Sequence, residues 1–257
     1  MWILGGCAVI ALIGVVFFAA LGIMGYQFVR DMEELTTNPE MRRERVLEML
    51  GAEQVPEGYY AGFVVGIPIV GDIVGLTDSP PQEDGEPGEP RERAFFYFSL
   101  RFMGDDKQQM EDFFTGKTDE LEALENVQIQ GPIDIEFRRA EFIKLGQFEV
   151  NQYTAYYRVM RGGVELSRSR GDSLAATMWI RCPDDSRGRF AAWVVPDPAA
   201  LAAAGQPSSE ADTSAASSSG PAGESSADAP QVDYQGTPND EESLAAFMSQ
   251  FNLCGTG

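Results

Sequence analysis

The sequence predicts an α+β fold: an N-terminal transmembrane helix followed by a mainly antiparallel sheet with a few packed helices. The first observation is an uncharged apolar run at residues 2–29. The second is a series of short segments between residues 59 and 195 that alternate in polarity or are rich in β-branched and aromatic residues, as strands are. The third is that few helical patterns separate these segments, and strands that directly follow strands favour antiparallel pairing.

The apolar run begins at Trp2 and ends at Val29, where Arg30 follows. About 20 apolar residues suffice to cross a hydrocarbon layer of roughly 30 Å, and rings such as those of Trp2 and Tyr26 suit its two interfaces. We therefore predict a single-pass membrane anchor. A cleaved signal peptide is the alternative, but such peptides have a basic start and a shorter apolar stretch. Cys7, inside the run, is predicted to be an ordinary buried thiol.

Two opposing signals bear on which side of the membrane the domain lies. Four arginines, at positions 30, 42, 43 and 45, follow the anchor while no basic residue precedes it. The positive-inside rule would therefore keep the domain in the cytoplasm. The later cysteines and a linker rich in Ser, Ala, Pro and Gly instead suit an exported domain. We expect an extracytoplasmic domain, with the cytoplasmic placement as the alternative.

A helix is predicted to open the globular domain, which spans residues 30–195. Thr37 or Asn38 can accept a hydrogen bond from a free backbone N–H group, Pro39 suits the first helical turn, and Gly51 ends the helix. Residues on one side of this segment are apolar, so we expect that side to face the core.

The segment 59–76 is predicted to form two apolar strands broken near Pro68. Its glycines are spaced as in closely packed membrane helices, so a second membrane span is the alternative. Asp72 argues against a span, because a carboxylate at the centre of a membrane helix costs about 2.5–3.5 kcal/mol. The same isolated acid is a candidate proton donor or acceptor, but we favour a surface turn residue after Gly71, because one carboxylate without a partner makes no catalytic constellation.

The remaining elements follow a polar loop at 78–92. Residues 94–103 alternate as a strand lying over a core, and 105–114 read as a helix with acids in its first turn. Gly162 and Gly163 predict a tight hairpin turn. Strands are predicted at 133–137, 148–160, 164–167, 173–181 and 190–195.

After residue 195 the composition changes. The segment 196–238 is rich in Ala, Ser, Gly and Pro and is predicted to be a flexible linker. The C-terminal segment 239–257 contains an amphipathic helix, which we expect to dock back on the domain; docking on another protein is the alternative. Cys182 ends a predicted strand and Cys254 follows this helix, so we predict a disulfide between them. In a cytoplasmic domain they would be reduced thiols.

Composition excludes several functions. A net charge of −21 makes binding of nucleic acid improbable, since phosphate backbones repel such a chain. The chain has no histidine, which removes His-based catalysis and His-ligated zinc, and three cysteines are too few for a Cys-only metal site. We therefore predict no cofactor, no metal and no enzymatic activity. Ser173, in a Gly-Asp-Ser-Leu sequence typical of an esterase family, lacks the histidine base of that chemistry, and Lys117 lies in only a fragment of a phosphate-binding loop.

The function we expect from these observations is a membrane-anchored, non-catalytic binding or structural module, in a bacterial envelope. An aromatic binding face is predicted on the side of the sheet opposite the core, unless helices cover it. Two alternatives stay open. One is a pilin-like assembly subunit, although this sequence lacks the cleavage glycine and the glutamate five residues into the apolar run that such subunits have. The other is a hydrolase that uses carboxylates alone. The residues predicted for the aromatic face are Phe95, Tyr97, Tyr153, Tyr157 and Trp179.

Overall fold

The structure is a computed structural model, and it describes residues 34–67, 71–101, 106–119, 133–135, 139–166, 173–183, 187–199 and 236–255. The predicted anchor at 2–29 and residues 200–235 of the predicted linker lie outside the described residues. Within the ranges that the structure describes, no helix is both long enough and apolar enough to cross a membrane.

A seven-stranded antiparallel sheet is the centre of the fold, which confirms the prediction of a mainly antiparallel sheet with a few helices. Its strands lie in the order β1-β2-β3-β9-β8-β6-β5, and β4 pairs with β7 in a separate two-stranded ladder. The strands are β1 (Tyr60–Ile67), β2 (Gly71–Thr77), β3 (Ala94–Leu100), β4 (Ile133–Ile135), β5 (Glu141–Val150), β6 (Tyr153–Arg161), β7 (Val164–Leu166), β8 (Ser173–Arg181) and β9 (Gly188–Pro196).

Three helices accompany the sheet in the described part of the chain: α1 (Pro39–Leu50), α2 (Asp106–Phe114) and α3 (Glu241–Met248). The side chain of Asn38 accepts hydrogen bonds from two backbone N–H groups at the start of α1, as predicted. Gly51 ends the same helix with a φ of 58°, a conformation that glycine adopts without strain.

Both faces of the sheet are covered by helices, so the domain has three layers rather than one sheet over one core. The core on one face includes side chains of α1 and α3, and the core on the other includes those of α2. In β3, Phe95 and Tyr97 belong to the first core, whereas Phe96 and Phe98 belong to the second. Successive strand residues point to opposite faces, so this run of aromatic residues supplies both layers.

The segment 59–76 forms two paired strands, β1 and β2, as predicted. The packing of the sheet explains why glycines occur in this segment. A Cβ atom on Gly75 would lie 2.3 Å from the ring of Phe63, so glycine leaves the space in which that ring lies. The glycine spacing that resembled a membrane-helix contact therefore reflects close packing between neighbouring strands.

Two strand predictions were wrong. The predicted strand 148–160 is divided between β5 and β6 by a turn at Asn151, whose φ is 52°. The turn at Gly162 and Gly163 does not create a hairpin between β6 and β7, because β7 pairs with β4. The two edges of β6 are already occupied by β5 and β8, so no edge was free for β7.

A disulfide joins Cys182, directly after β8, to Cys254, after α3, with 5.5 Å between their Cα atoms. It fixes the C-terminal segment to one end of the sheet. The same segment packs along the sheet face, where the ring of Phe247 stacks on Trp193 with 4.4 Å between the ring centroids. The described C-terminal segment therefore forms part of the core of this domain.

Candidate ligand-binding cleft

Three polar residues lie side by side across neighbouring strands. Asp72 of β2 is the direct partner of Ser99 in β3, and Ser99 is the direct partner of Arg189 in β9. Direct partners in an antiparallel pair point to the same face of the sheet. The three side chains therefore form a row, which we call the polar row, on the face that α1 and α3 cover.

Arg189 is the buried member of the polar row. Only 4% of its surface is exposed. Its Nη1 donates a hydrogen bond to the hydroxyl oxygen of Tyr97, 2.6 Å away, and another to the carbonyl oxygen of Leu253. A buried guanidinium requires such acceptors, because an ion removed from water without them is costly. Leu253 directly precedes Cys254, so the disulfide holds one of these acceptors in place.

Two ion pairs lie at the rim of the row. Arg187 approaches the Oδ2 atom of Asp72 to 3.6 Å, and Arg45 of α1 contacts Glu48 at 2.5 Å. The side chains of Arg187 and Asp72 are 30% and 33% exposed, and those of Arg45 and Glu48 are 46% and 68% exposed. Exposed pairs of this kind contribute about 0–1 kcal/mol, so a ligand can rearrange them at little cost.

Ser99 is the unusual member of the row. It is 3% exposed, and its Oγ atom has no hydrogen-bond partner within the described part of the chain. A buried hydroxyl without a partner costs about 1–3 kcal/mol. Ser99 is also one of the residues that line an open space beside the polar row.

That open space is a cleft of about 410 Å³. The volume lies within the usual range for small-molecule sites, about 300–1,000 Å³. The described side chains on its wall carry three guanidinium groups and two carboxylates, although the whole chain carries a net charge of −21. The cleft is lined by Arg45, Glu48, Met49, Asp72, Tyr97, Ser99, Arg187, Arg189 and Gly255.

The five residues predicted for an aromatic binding face lie on two different faces of the sheet. Phe95, Tyr97, Tyr153 and Tyr157 belong to the core under α1 and α3, and Trp179 belongs to the core under α2. All five are buried, so the helices cover them as the alternative interpretation expected. Of these residues, Tyr97 also lines the cleft.

Two of the three tyrosines of β6, Tyr153 and Tyr157, have hydrogen-bond partners in the C-terminal segment. Tyr153 donates to the carbonyl oxygen of Met248, and Tyr157 donates to a carboxylate oxygen of Glu241. Burial raises the pKa of both phenols above the usual value, because it penalises the phenolate, and the neighbouring Glu241 adds to the effect at Tyr157. These hydroxyl groups therefore hold α3 and its flanking residues on the sheet.

Sequence reasoning identified Asp72 but not the residues around it. Ser99 lay within a predicted strand, and Arg187 and Arg189, between two predicted strands, were given no functional role. The motif residues that resembled catalysts have structural contacts: Ser173 donates to the carbonyl oxygen of Val164, and Lys117 pairs with Asp112 after the end of α2. No family model of known proteins matches this chain, and a comparison with curated proteins finds no match.

Proposed function

We propose that this protein is a membrane-anchored, non-catalytic binding module that holds a small ligand in the cleft of the polar row. The observation that carries the proposal is the buried Oγ of Ser99, which has no partner among the described residues and lies beside the buried guanidinium of Arg189. Groups that are costly in the free protein and satisfied by a bound molecule are typical of ligand sites.

Binding explains the cleft better than catalysis does. Glu48 and Asp72, the two carboxylates described on its wall, are each paired with an arginine. A serine nucleophile needs a neighbouring base, and this chain contains no histidine. Hydrolysis by carboxylates alone needs two carboxyl groups that act together on one substrate, whereas each of these is engaged by its own arginine.

The cellular placement rests on two features. The apolar run at 2–29 is long enough to anchor the chain in a bilayer. A disulfide such as Cys182–Cys254 persists in oxidising compartments and is rare in the cytosol. We therefore place the domain on the extracytoplasmic side, in a bacterial envelope, with the anchor holding it near the membrane.

A pair of serine variants tests the binding role of Ser99. Ser99→Ala should raise the free energy of unfolding of the ligand-free, full-length chain by about 1–3 kcal/mol, because it removes a buried hydroxyl without a partner. The matched control is Ser173→Ala, which replaces an equally buried strand serine that does have an acceptor and should lower stability. A loss of stability in Ser99→Ala would mean that Ser99 has a structural role, and would overturn the proposal.

Cysteine labelling in intact cells tests the placement. A membrane-impermeant thiol reagent should label Cys182 and Cys254 only after reduction, and without permeabilisation of the inner membrane. The double variant Cys182→Ser, Cys254→Ser should show no such labelling. A requirement for permeabilising the inner membrane would contradict the extracytoplasmic placement.

A further inference from the structure

The polar row presents two hydrogen-bond donors and one carboxylate in a fixed order. Ser99 is at the centre, Arg189 lies on the next strand to one side, and Asp72 lies on the next strand to the other. Neighbouring strands are about 4.8 Å apart. A molecule of a few heavy atoms over Ser99 can therefore reach both the guanidinium side and the carboxylate side of the row.

From this order we infer that the cleft binds a small zwitterion, a compound with a carboxylate and an ammonium group separated by a few bonds. The inference rests on the proposed binding function and names the chemical class of its ligand. The carboxylate of the ligand lies between Ser99 and Arg189, and its ammonium group lies against Asp72.

Two donors that line the cleft determine where the carboxylate of the ligand binds. The hydroxyl of Ser99 can donate one hydrogen bond, and the adjacent guanidinium of Arg189 provides a buried positive charge. Hydrogen bonds that involve an ionised partner are roughly twice as strong as those between neutral groups. A ligand carboxylate satisfies the hydroxyl of Ser99 and is favoured by the charge of Arg189 at the same time.

Asp72 is the partner of the ammonium group of the ligand. Its Oδ2 atom faces Arg187, while its Oδ1 atom lies above Gly66, where an added Cβ would come within 3.4 Å of that oxygen. An ionised carboxylate can accept several hydrogen bonds, so Asp72 can hold a ligand ammonium group without releasing Arg187.

The charge of the whole chain favours a ligand without net charge. A protein with a net charge of −21 repels anions at long range, so a dianion approaches the cleft against the field. A simple cation is attracted at long range but meets Arg45, Arg187 and Arg189 in the cleft. A zwitterion avoids the long-range repulsion and has a partner of opposite sign for each of its ends.

The test is a matched series of probes on the full-length chain in detergent micelles, with binding followed by isothermal titration calorimetry and by the shift in melting temperature. The series consists of three compounds with three carbon atoms each. β-Alanine carries both charges, propionate carries the negative charge alone, and propylamine carries the positive charge alone. The natural amino acids extend the zwitterion arm and report which side chain the cleft prefers. We expect binding of zwitterions and at least tenfold weaker binding of propionate and propylamine.

Two variants connect the binding to the polar row. Asp72→Asn should weaken zwitterion binding at least tenfold and should not weaken propionate binding, because it removes the partner of the ammonium group. Ser99→Ala should weaken both. Ser173→Ala and Glu149→Gln, which alter a buried serine and a carboxylate away from the cleft, are the matched controls and should leave both affinities unchanged.

The outcomes separate this inference from the proposed function. Propionate that binds as tightly as β-alanine, with no effect of Asp72→Asn, overturns the zwitterion class and leaves the cleft as an anion site. Zwitterion binding that neither Ser99→Ala nor Asp72→Asn weakens overturns the location as well. If no zwitterion binds, the inference fails, and the stability of Ser99→Ala then decides separately whether the proposed function stands.

Discussion

Replacing both Cys182 and Cys254 by alanine removes the bond between the C-terminal segment and the end of β8. The two residues are 72 positions apart in the sequence. In the chain-entropy model, closing a loop of this length reduces the entropy of the unfolded chain enough to stabilise the folded state by about 4 kcal/mol at 25 °C. For a domain of this size, each kcal/mol corresponds to about 2–4 °C, so we expect the melting temperature to fall by roughly 8–16 °C.

Thermal unfolding of the full-length chain measures this effect, with tryptophan fluorescence as the signal because Trp179 and Trp193 are both buried. The melting temperature of the wild-type chain should fall by this predicted amount when a reductant is added. The double alanine variant should melt at the lower temperature in either condition, which controls for effects of the reductant on anything else. A wild-type chain that melts at the same temperature with and without reductant would refute the reasoning.

Three further predictions concern the layers around the sheet. Phe247→Ala should lower the free energy of unfolding by about 3–5 kcal/mol in a denaturant titration, because it removes the ring that stacks on Trp193; the exposed Ala246→Gly, on the same helix, should cost only about 1 kcal/mol. Burial raises the pKa of Tyr59 from 10.0 to about 12, so its contribution to stability is complete below pH 10 and is lost as the pH rises through 12. Tyr59→Phe should therefore flatten the stability profile in that interval, and an unchanged slope would contradict the assignment. Arg42→Lys should lower the free energy of unfolding by about 2–4 kcal/mol, because the buried guanidinium donates to backbone carbonyls of three separate segments. The donors of an ammonium group all radiate from one nitrogen and cannot reach all three segments, so an unchanged denaturation midpoint would contradict this prediction.

Local chemistry made much of this fold predictable. Asn38 and Gly51 mark the ends of α1 because a side-chain acceptor and a left-handed backbone have specific places at helix ends. The strand predicted at 173–181 matches β8 to the residue, because its flanking Gly-Asp turn and its apolar content are both local signals. The disulfide also followed from local positions, one cysteine at a strand end and the other after a helix.

The number of layers was not predictable from polarity patterns alone. In β8 every residue from Ser173 to Ile180 is buried, so polarity does not alternate along the strand. The two faces differ in their packing partners: Met178 belongs to the core under α1 and α3, and its neighbour Trp179 belongs to the core under α2. A strand covered on both sides has no polar face to reveal its orientation, and for this reason Trp179 was grouped with tyrosines that point the other way.

The polar row was hidden from sequence reasoning for a related reason. Asp72, Ser99 and Arg189 are brought together by the register of three strands, and two of those strands are far apart in the sequence. A shift of one residue in either pairing would move a member of the row to the opposite face. Asp72 attracted notice as an acid in an apolar segment, but its partners could be named only after the register was known.

The same C-terminal residues take part in both the polar row and the disulfide. Leu253 supplies a carbonyl acceptor to Arg189, Gly255 lines the cleft, and Cys254 between them is bonded to Cys182. Without that bond, the burial of Leu253 and the hydrogen bond from the Asn252 N–H to the carbonyl oxygen of Leu50 would still hold this acceptor, but less firmly. Because a buried charge that loses an acceptor is strongly destabilised, the disulfide stabilises the site itself as well as reducing the entropy of the unfolded chain. The predicted loss of about 4 kcal/mol counts only the entropic part, and a loss of this acceptor at Arg189 would add to it.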